Sequence, residues 1–549
     1  MRKNMKQIIA IALATLMTAA SLAGCGEKSP ENTSSSNGQS SDGNKTHNIK
    51  VLCPENTNTF LKFADREEYP VYQELVELFA KKGLTVEYEV VPDDQYMVVA
   101  QTRLATGTDL PDWVNVQKLD TVTTLNLASN KTLLPVNKIL EEYGDGTALS
   151  YFEKEAPFVF GLSTAEDGNM YWIPNTAIST YEGKPGSTCQ TILIRKDWLE
   201  KLNLEVPKTA EDFITLMKAF RDKDANGNGV ADEILALDAS KFRRGIAQWF
   251  GLGTDLTAVM IEEGKVVSPW YQEGAKDYFA YMQRLVKEGI LDPTLVGAAS
   301  KDAANQKMAE NKVGATYDYT LQSWLEPSIN AENPEFLPIG PLTAVDGIKP
   351  VRTIEPPQLA WRGYAVTKGC KDQEGIAKFI DTLYSQEYFD LSLYGIDGKT
   401  SKVVDGKRVV DEEVVNNTTW EKMAKDRNTT GGYLWGDGTF PKTRNSTMEE
   451  QLEGAVGHKA NYQKEVIFYQ PTSPDNNDAY LALPTKEQIE RKAEIKTDID
   501  TYSKELMTQL ILGHKSLNDW DLYMSELKEL GLDELIAIDQ ELADRYNGK

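Results

Sequence analysis

Short apolar segments alternate with amphipathic ones in the first stretch of chain that carries large apolar side chains. The predicted elements are strands at Ile49–Cys53, Leu84–Val91 and Trp113–Val116, and helices at Tyr69–Lys82 and Asp94–Ala105. This strand–helix order predicts a parallel sheet with helices on its faces. Ligands of such sheets bind beyond the carboxyl ends of the strands, so Asn115 and Gln117 are candidate binding residues.

The same alternation of strands and helices continues further along the chain. The predicted elements are strands at Thr191–Ile194 and Gly363–Val366, and helices at Asp197–Leu202 and from Thr209 to Arg221; Val313–Thr316 is an apolar run. Thr209 and Asp212 have the spacing of a capping box, although Glu or Gln is more usual at the second position. The segment Lys486–Tyr546 is predicted to be helical, with breaks near Gly513 and Gly531.

The amino terminus has the pattern of a secretory signal. Three basic residues precede an apolar stretch, Ile8–Ala20, which is too short to remain as a membrane span. The following Leu22–Cys25 resembles the lipobox of bacterial lipoproteins, in which Cys25 would become the first mature residue and carry lipid. The alternative is an ordinary cleavage signal with a cysteine there by chance. On the lipoprotein interpretation, residues 1–24 are the signal peptide, and lipid anchors the protein on the extracellular face of the cell membrane.

Residues 26–46 have the composition of a flexible tether. They contain no large apolar side chain and are dominated by Ser, Asn, Gly and Thr. Such a segment has nothing to bury, so it is predicted to be disordered. As a flexible coil of this length it would span about 25 Å, which is enough to hold a folded body just off a membrane.

Charge and cysteine content exclude several classes of protein. The formal net charge of the whole chain is −24, which argues against nucleic acid as the main partner and leaves a neutral ligand open. Besides Cys25 the chain has Cys53, Cys189 and Cys370, which form neither a disulfide framework nor a metal-ligand spacing. The three histidines are scattered, and the sequence has no phosphate-binding loop or nucleophile elbow. With 83 acidic residues, a carboxylate pair for glycoside hydrolysis stays open, but no pair is singled out.

Residues 222–233 have the composition of a calcium-binding loop. Short Asp and Asn side chains alternate with Gly, and calcium prefers six to eight oxygen ligands on such a tight turn. The full EF-hand pattern starts at Asp222, whereas a second register starts at Asp224 and lacks the acid at its twelfth position. Asp224, Asn226 and Glu233 are ligands in both registers. The alternative is a solvated Asn-Gly turn without metal. We interpret the calcium as structural, because the loop carries no evident nucleophile or base.

Nine segments, in their order along the chain, resemble family 1 extracellular solute-binding lipoproteins, which serve oligosaccharide ABC importers of Gram-positive bacteria. The matching segments are Thr106–Asp112, Asn169–Asn175, Leu193–Leu202, Val206–Thr209, Asp232–Ile234, Tyr394–Thr400, Leu517–Tyr523, Leu527–Leu532 and Asp544–Tyr546. Each segment is modestly specific, but their order is highly specific.

The resemblance implies a two-lobed α/β fold of the periplasmic-binding-protein type (type II), with a hinge between the lobes and a helix-rich carboxyl terminus. Its implied ranges are 25–46 for the lipidated cysteine and tether, 47–160 plus about 338–410 for the first lobe, and 161–337 plus about 411–549 for the second. It favours the later calcium register. The implied ligands are then Asp224, Asn226, Asn228, the Val230 carbonyl, Asp232 and Glu233.

Exposed aromatic side chains beside polar ones are typical of sugar-binding clefts. Candidates that fall where lobes would meet, in addition to Asn115 and Gln117, are Trp172, Tyr317, Tyr319, Trp324, Trp361, Arg362 and Trp435. Each could equally be a core residue, because most of the 10 Trp and 24 Tyr are expected in cores. Trp198 and Trp520 lie on apolar helical faces and are predicted to be core.

These observations favour a binding protein without catalytic activity. The leading hypothesis is a monomeric, lipid-anchored receptor that captures an oligosaccharide and delivers it to ABC permease subunits. One alternative is a secreted glycoside-active enzyme, which would also have aromatic platforms and acids. Another is a peptide-binding or sensory lipoprotein of the same fold.

Overall fold

The computed structural model describes residues 46–548 with several gaps. The gaps are 56–65, 68–69, 117–118, 175–178, 182–183, 186–189, 237–244, 254–255, 258, 263, 298–301, 320–328, 332–334, 352–362, 400, 411–445 and 448–480. The predicted signal, Cys25 and nearly all of the tether therefore lie outside the described residues. Within the described part of the chain, no helix is both long and apolar enough to cross a membrane.

Fifteen strands and sixteen α-helices are described, and they are numbered here in chain order. The strands are β1 His47–Pro54, β2 Leu84–Val91, β3 Trp113–Asn115, β4 Ser179–Tyr181, β5 Lys184–Pro185, β6 Gln190–Arg195, β7 Ile234–Ala236, β8 Met260–Glu262, β9 Lys265–Val267, β10 Val313–Tyr319, β11 Phe336–Ile339, β12 Tyr364–Val366, β13 Ser401–Val404, β14 Lys407–Val410 and β15 Ser446–Thr447. The helices are α1 Pro70–Lys81, α2 Asp93–Thr106, α3 Thr121–Ser129, α4 Val136–Tyr143, α5 Thr147–Lys154, α6 Phe158–Ser163, α7 Lys196–Leu202, α8 Ala210–Asp222, α9 Gly274–Lys287, α10 Pro293–Val296, α11 Asp302–Ala309, α12 Gln373–Leu383, α13 Gln386–Tyr394, α14 Lys486–Ile511, α15 Trp520–Glu529 and α16 Leu532–Tyr546.

The first sheet has the strand order β12-β3-β1-β2. Strands β1, β2 and β3 are parallel, as predicted, and β12 is antiparallel to β3. Alternate residues of β1 enter different clusters: Ile49 and Val51 face α1, α4–α6, α12 and α13, whereas Leu52 faces α2 and α3. Helices therefore bury both faces of the sheet, and we call the apolar clusters on the two faces the first core.

The second sheet has the order β11-β6-β10-β7. β6 is antiparallel to both of its neighbours, and β10 pairs in parallel with β7. Ile192 and Ile194 pack on one face against α7–α9 and α14–α16, and Leu193 packs on the other face against α10 and α11. These clusters form the second core, in which Trp198 is buried as predicted.

Local sequence signals account for several element boundaries. α8 begins with the predicted capping box, in which the Thr209 hydroxyl and the Asp212 carboxylate each accept from the other residue's backbone N–H. The carboxyl-terminal segment is helical as predicted, and the helices are interrupted near Gly513 and Gly531, which have φ of 71° and 101°. Three smaller sheets complete the described strands: β8 pairs with β9, β13 with β14, and β4 with both β15 and β5.

The chain changes sheets at positions that differ from the implied ranges. Leu162 and Ile173 are buried in the first core, so residues 161–173 lie with the first sheet. β11 pairs with β6, Leu342 packs in the second core, and the Val351 N–H donates to the Gln248 carbonyl at 2.9 Å. Residues 338–351 therefore lie with the second sheet, and the chain returns to the first sheet between Val351 and Gly363.

Helix α5 is capped by a residue from another helix. Gly146 precedes α5 with φ of 90° and offers no side chain to cap it. Asp381 of α12 supplies the acceptors instead, because its two carboxylate oxygens accept from the backbone N–H groups of Asp145 and Ala148, each at 2.8 Å. Asp381 is 3% exposed. Burial, together with the neighbouring Asp145 carboxyl, raises the pKa of Asp381 from 3.8 to about 6.

The substitution Asp381→Asn is expected to remove a pH-dependent loss of stability. Because the folded pKa lies above the unfolded value, the stabilisation from this group is complete below about pH 4 and is lost as the pH rises through about 6. The free energy of unfolding of the variant, relative to wild type, should therefore rise by about 2–3 kcal/mol between about pH 4 and pH 7.5. Urea unfolding across this range measures the difference. The exposed control Glu153→Gln should show no such rise, and a difference independent of pH for Asp381→Asn would contradict the prediction.

Candidate functional site

Segments that carry candidate ligand-binding residues meet at the carboxyl edge of the first sheet. β3 ends at Asn115, which pairs with Tyr364 at the start of β12. The Val116 N–H donates to the Gly363 carbonyl at 2.9 Å, and Ile173 and Tyr364 exchange backbone hydrogen bonds of 2.8 and 3.0 Å. The structure thus brings the end of β3, the start of β12 and the segment before Ile173 together, although these segments are far apart in sequence.

Trp172 and Asn115 are both buried at this edge. Trp172 is fully buried and packs in the same cluster as Val116 and Leu133. Its Nε1 has no hydrogen-bond acceptor among the residues that the structure describes. Asn115 is also fully buried, and its backbone carbonyl accepts from the Tyr96 hydroxyl at 2.7 Å. An indole N–H buried without an acceptor costs roughly 1–3 kcal/mol, so a polar ligand atom there would be favourable.

The candidates of the second sheet lie on β10. Tyr317 pairs with Ile192 and Tyr319 with Gln190 across the antiparallel ladder. The Tyr317 side chain is 2% exposed and packs so tightly against Gly245 that a Cβ there would collide with its ring. Tyr317 is therefore a core side chain in this structure, and only the backbone of Tyr319 is described.

The remaining ligand candidates fall in the gaps. Gln117, Trp324, Trp361, Arg362 and Trp435 lie outside the described residues. Trp361 and Arg362 directly precede Gly363, the residue whose carbonyl meets the end of β3. Asn115 and Trp172 are therefore the described candidates at this sheet edge.

The predicted calcium loop winds tightly after α8. Asp224 has a left-handed backbone with φ of 51°, and its two carboxylate oxygens accept from the Asn228 and Gly229 N–H groups at 2.9 Å each. Asn226 Oδ1 also accepts from the Asn228 N–H at 2.9 Å, and Asn228 Oδ1 accepts from the Val230 N–H at 2.7 Å. These bonds turn the short side chains back into the loop.

Asp232 and Glu233 close the same loop. The Glu233 carboxylate accepts from the backbone N–H groups of Asn226 at 3.0 Å and Asp232 at 3.2 Å. Asp232 Oδ1 accepts from the amide groups of Asn226 and Asn228 at 3.1 Å each, and its backbone N–H donates to the Val230 carbonyl at 3.0 Å. The six residues of the later register thus form one network.

The alternative start of the loop lies outside this network. One Asp222 carboxylate oxygen accepts from Arg221 Nε at 3.0 Å, and the Asp222 side chain is 60% exposed. In the later register, by contrast, Asp224 binds the backbone of its own loop. In this geometry the Asp224 side chain is part of the loop's hydrogen-bond network, and the Asp222 side chain is not.

The loop has the electrostatics of a cation site. Glu233 is 1% exposed, and burial raises the pKa of its carboxyl. The neighbouring Asp232 is compensated by two amide groups and by Lys312, whose Nζ lies 3.4 Å from Oδ2. Carboxylate, amide and carbonyl oxygens are the donors that calcium prefers. The residues present therefore fit a calcium ion chemically.

One cluster of titratable residues was not anticipated from the sequence. His47, Asp372 and Glu374 bring potential ligand atoms within 4.8 Å of one another. His47 Nδ1 and Asp372 Oδ2 are 2.7 Å apart, and Asp372 Oδ1 accepts from the Gly375 N–H at 3.1 Å as the N-cap of α12. The cluster links His47 at the start of β1 to Asp372 at the N-cap of α12. Because these two residues are 325 positions apart, no local sequence signal could have revealed the cluster.

Comparisons with known proteins agree with this architecture. The sequence pattern of the bacterial extracellular solute-binding protein family matches residues 64–390. The chain is 25% identical over 458 residues to the fructooligosaccharide ABC transporter substrate-binding protein FusA of Streptococcus pneumoniae, with 80% of each chain covered. It is 23% identical over 322 residues to the polygalacturonan/rhamnogalacturonan-binding protein YtcQ of Bacillus subtilis, which covers 56% of this chain and 59% of that one.

Solved structures share the fold. An extracellular solute-binding protein from Bifidobacterium longum subsp. infantis superposes with a TM-score of 0.69 at 18% identity, covering 92% of this chain and all of that one. FusA in complex with kestose gives a TM-score of 0.67 at 21% identity, covering 91% of this chain and all of that one. The predicted α/β fold of two-lobed solute-binding proteins is thereby confirmed. The chain belongs to the family of bacterial extracellular solute-binding proteins.

Proposed function

We propose that this protein is the oligosaccharide receptor of an ABC importer and has no catalytic activity. The observation that carries the proposal is the similarity to a fructooligosaccharide ABC transporter substrate-binding protein over 80% of both chains. A second relative binds polygalacturonan and rhamnogalacturonan, so the shared ligand class is oligosaccharide rather than one particular sugar. The role requires permease subunits as partners and a monomeric receptor.

The Leu22–Cys25 sequence supports anchoring at the membrane. On this proposal Cys25 carries lipid, and residues 26–46 tether the folded body on the extracellular face of the cell membrane. A receptor held within about 25 Å of the membrane stays beside its permease, because its flexible tether limits how far it can diffuse.

The ligand is proposed to bind between two lobes built on the two sheets. The contacts at residues 161–173 and 338–351 support a first lobe of about 46–174 and 363–410, and a second lobe of about 190–351 and 486–545. Ligand favours a closed arrangement only through contacts that it makes with both lobes at once.

The proposed sugar site lies at the carboxyl edge of the first sheet. The meeting of Asn115, Trp172 and Gly363 supports it, and Trp361 and Arg362 directly precede Gly363 in the sequence. The Trp172 N–H, which has no acceptor among the described residues, would donate to a sugar hydroxyl. The other proposed contacts are Gln117, Tyr319, Trp324 and Trp435.

A structural calcium ion is proposed for the loop after α8. The proposed ligands are Asp224, Asn226, Asn228, the Val230 carbonyl, Asp232 and Glu233. The inward-turned oxygens and the buried Glu233 carboxylate support it. A solved structure of a FusA EF-hand mutant, at 20% identity and a TM-score of 0.66, is in keeping with a calcium loop in relatives.

Calorimetric titration with a panel of ligands tests the proposed function. The panel contains fructooligosaccharides, oligogalacturonides, alginate oligosaccharides and short peptides. We expect at least one glycan class to bind with a dissociation constant in the micromolar range or tighter, and to be recovered intact by chromatography afterwards. Cleavage of a bound glycan would favour the enzyme alternative. Binding of peptides and of no glycan would show that the protein is a peptide receptor.

A pair of matched substitutions locates the site in the same assay. Trp172 and Trp270 are both buried and both have an Nε1 without an acceptor among the described residues. Trp270 packs against Phe279 in the second core, away from the proposed site. Trp172→Phe should weaken glycan binding by about 3–10-fold, which corresponds to one lost hydrogen bond, whereas Trp270→Phe should not weaken it. Equal effects of both substitutions would exclude the Trp172 N–H as a ligand contact.

A further inference from the structure

The last helix of the chain is anchored at its amino end in the second core. Leu532 and Leu535 of α16 are buried there. Further along, Gln540 Oε1 accepts from the Val266 N–H at 2.8 Å, and Gln540 Nε2 donates to the Gly264 carbonyl at 3.1 Å. The first three turns of α16 are thus fixed to the second core and to the β8–β9 hairpin.

The carboxyl end of the same helix is anchored in the first core. The Tyr546 ring packs against the first core beside Gly161 of α6. A Cβ at Gly161 would collide with the ring, so the ring occupies space that exists only because residue 161 is glycine. Arg545 Nη2 donates to the Leu483 carbonyl at 2.9 Å, and Leu483 is buried on the other face of the first sheet.

One rigid helix therefore joins the two cores. Its 15 residues span about 22 Å at the usual rise of an α-helix. The main chain also changes from one sheet to the other between Ile173 and Gln190, between Val351 and Gly363, and between Leu483 and Ile495. The contact of Tyr546 with Gly161 adds a connection of a different kind, because it is made by a side chain at the end of a helix.

We propose that Tyr546 is a positioning residue for ligand binding, whose contact with Gly161 holds the pivot about which the two cores close. This proposal rests on the proposed function, since closure matters only if ligand binds between the cores. A body held by this contact as well as by its main-chain crossings samples fewer relative orientations than one held by the crossings alone. Ligand then has less conformational freedom to remove when it orders the cleft, and it binds more tightly.

Two substitutions break this contact in different ways. Tyr546→Ala removes the ring, and Gly161→Ala adds a methyl group where the ring now lies. Combining them should restore part of the packing, because the methyl group fits the space that the ring leaves. Tyr143→Ala is the matched control, since Tyr143 is an exposed tyrosine of α4, 41% exposed. If Tyr546→Ala does not fold, Gly161→Ala and Tyr546→Leu test the same contact.

The orientation of the cores is measured directly in the unliganded protein. Spin labels introduced as non-canonical residues at the exposed Lys138 and Lys276 report the distance between the first and second cores by pulsed electron resonance. We expect a broader distance distribution for Tyr546→Ala and Gly161→Ala than for wild type and Tyr143→Ala. We also expect a 3–10-fold weaker affinity for the glycan that wild type binds.

The outcomes separate this proposal from the proposed function. A lower unfolding temperature with unchanged distances and unchanged affinity would overturn the proposal, because Tyr546 would then serve stability alone. Broader distances with unchanged affinity would also overturn it. If wild type binds no glycan of the panel, the proposed function fails, whereas the distance distributions still report whether Tyr546 restrains the two cores.

Discussion

Replacement of Arg195 by Met is expected to destabilise the protein by about 2–3 kcal/mol, which is less than the usual effect of breaking a fully buried ion pair because the Asp197 side chain left behind is 25% exposed. Arg195 is 1% exposed at the end of β6. Its Nε and Nη2 donate to the two carboxylate oxygens of Asp197 at 2.7 and 2.6 Å, and its Nη1 donates to Asn311 Oδ1 at 2.7 Å. The guanidinium also lies 4.2 Å from the ring centroid of Trp198.

The loss follows from what the substitution leaves behind. Met fills most of the volume of Arg195, but the Asp197 carboxylate loses its counter-charge and the Asn311 amide oxygen loses its donor. Arg195→Lys keeps the positive charge and loses the planar fork, so an intermediate loss is expected. The free energy of unfolding, measured by urea denaturation, checks both variants.

Arg491 provides the matched control for burial. It also pairs with a carboxylate through two nitrogens, at 2.6 and 2.7 Å from Glu534, but its side chain is 49% exposed. Water screens this pair, so Arg491→Met should destabilise the protein much less than Arg195→Met does. Equal losses for the two arginines would contradict the argument, because burial would then not be what makes Arg195 costly to remove.

Removal of calcium is expected to destabilise the protein by about 2–3 kcal/mol relative to about 10 mM calcium, if the dissociation constant is near 10⁻⁴ M as in many extracellular modules. The physical reason is that the ion binds the folded loop and not the unfolded chain, in which Asp224 and Glu233 are no longer held together. Differential scanning calorimetry with and without chelator measures the shift in unfolding temperature. Magnesium should not reproduce it, because magnesium loses its own water reluctantly.

Two substitutions distinguish the registers of the loop. Asp224→Asn should abolish the response to calcium, and asparagine tolerates the left-handed backbone at this position. Asp222→Asn should leave the response intact, because the Asp222 carboxylate faces Arg221 and solvent. The reverse result would assign calcium to the earlier register. An unchanged unfolding temperature in wild type would mean that the loop is an Asn-Gly turn without metal.

The family motif around Arg195 illustrates what a sequence pattern can and cannot explain. The segment Leu193–Leu202 contributes to the resemblance by its residue types and order. The structure gives the physical reason for two residues of this segment. Asp197 accepts hydrogen bonds from the Arg195 guanidinium, and Trp198 packs under that guanidinium and against Phe220. Asn311, the other hydrogen-bond partner of Arg195, is 116 positions away and could not be inferred from spacing.

The binding site could be predicted only in part. The parallel order of β1, β2 and β3 follows from local periodicity, and it correctly placed Asn115 at a strand end. For Trp172 and Tyr317 the sequence leaves open a sugar-binding or a core role, and both side chains are buried in the described structure. Aromatic residues serve cores and sugar sites equally well, and sequence alone does not say which side of a packed element a ring faces.

The sequence by itself determined the features that depend on neighbours within a few residues. These are the strand and helix periods, the Thr209 capping box, the helix breaks at Gly513 and Gly531, and the tight Asp-, Asn- and Gly-rich turn after α8. Each is governed by hydrogen bonds or side-chain spacing over one or two turns of chain, so the residues that cause it can be identified in the sequence.

Only the tertiary structure decided which distant residues meet. The cap on α5 comes from Asp381, more than 230 positions away, and the space for the Tyr546 ring comes from Gly161 in another helix. Such contacts depend on how whole elements pack, and many sequences with the same periodicity would pack differently. The sequence therefore predicts the fold, whereas the packing of distant elements decides which residues of the two cores meet.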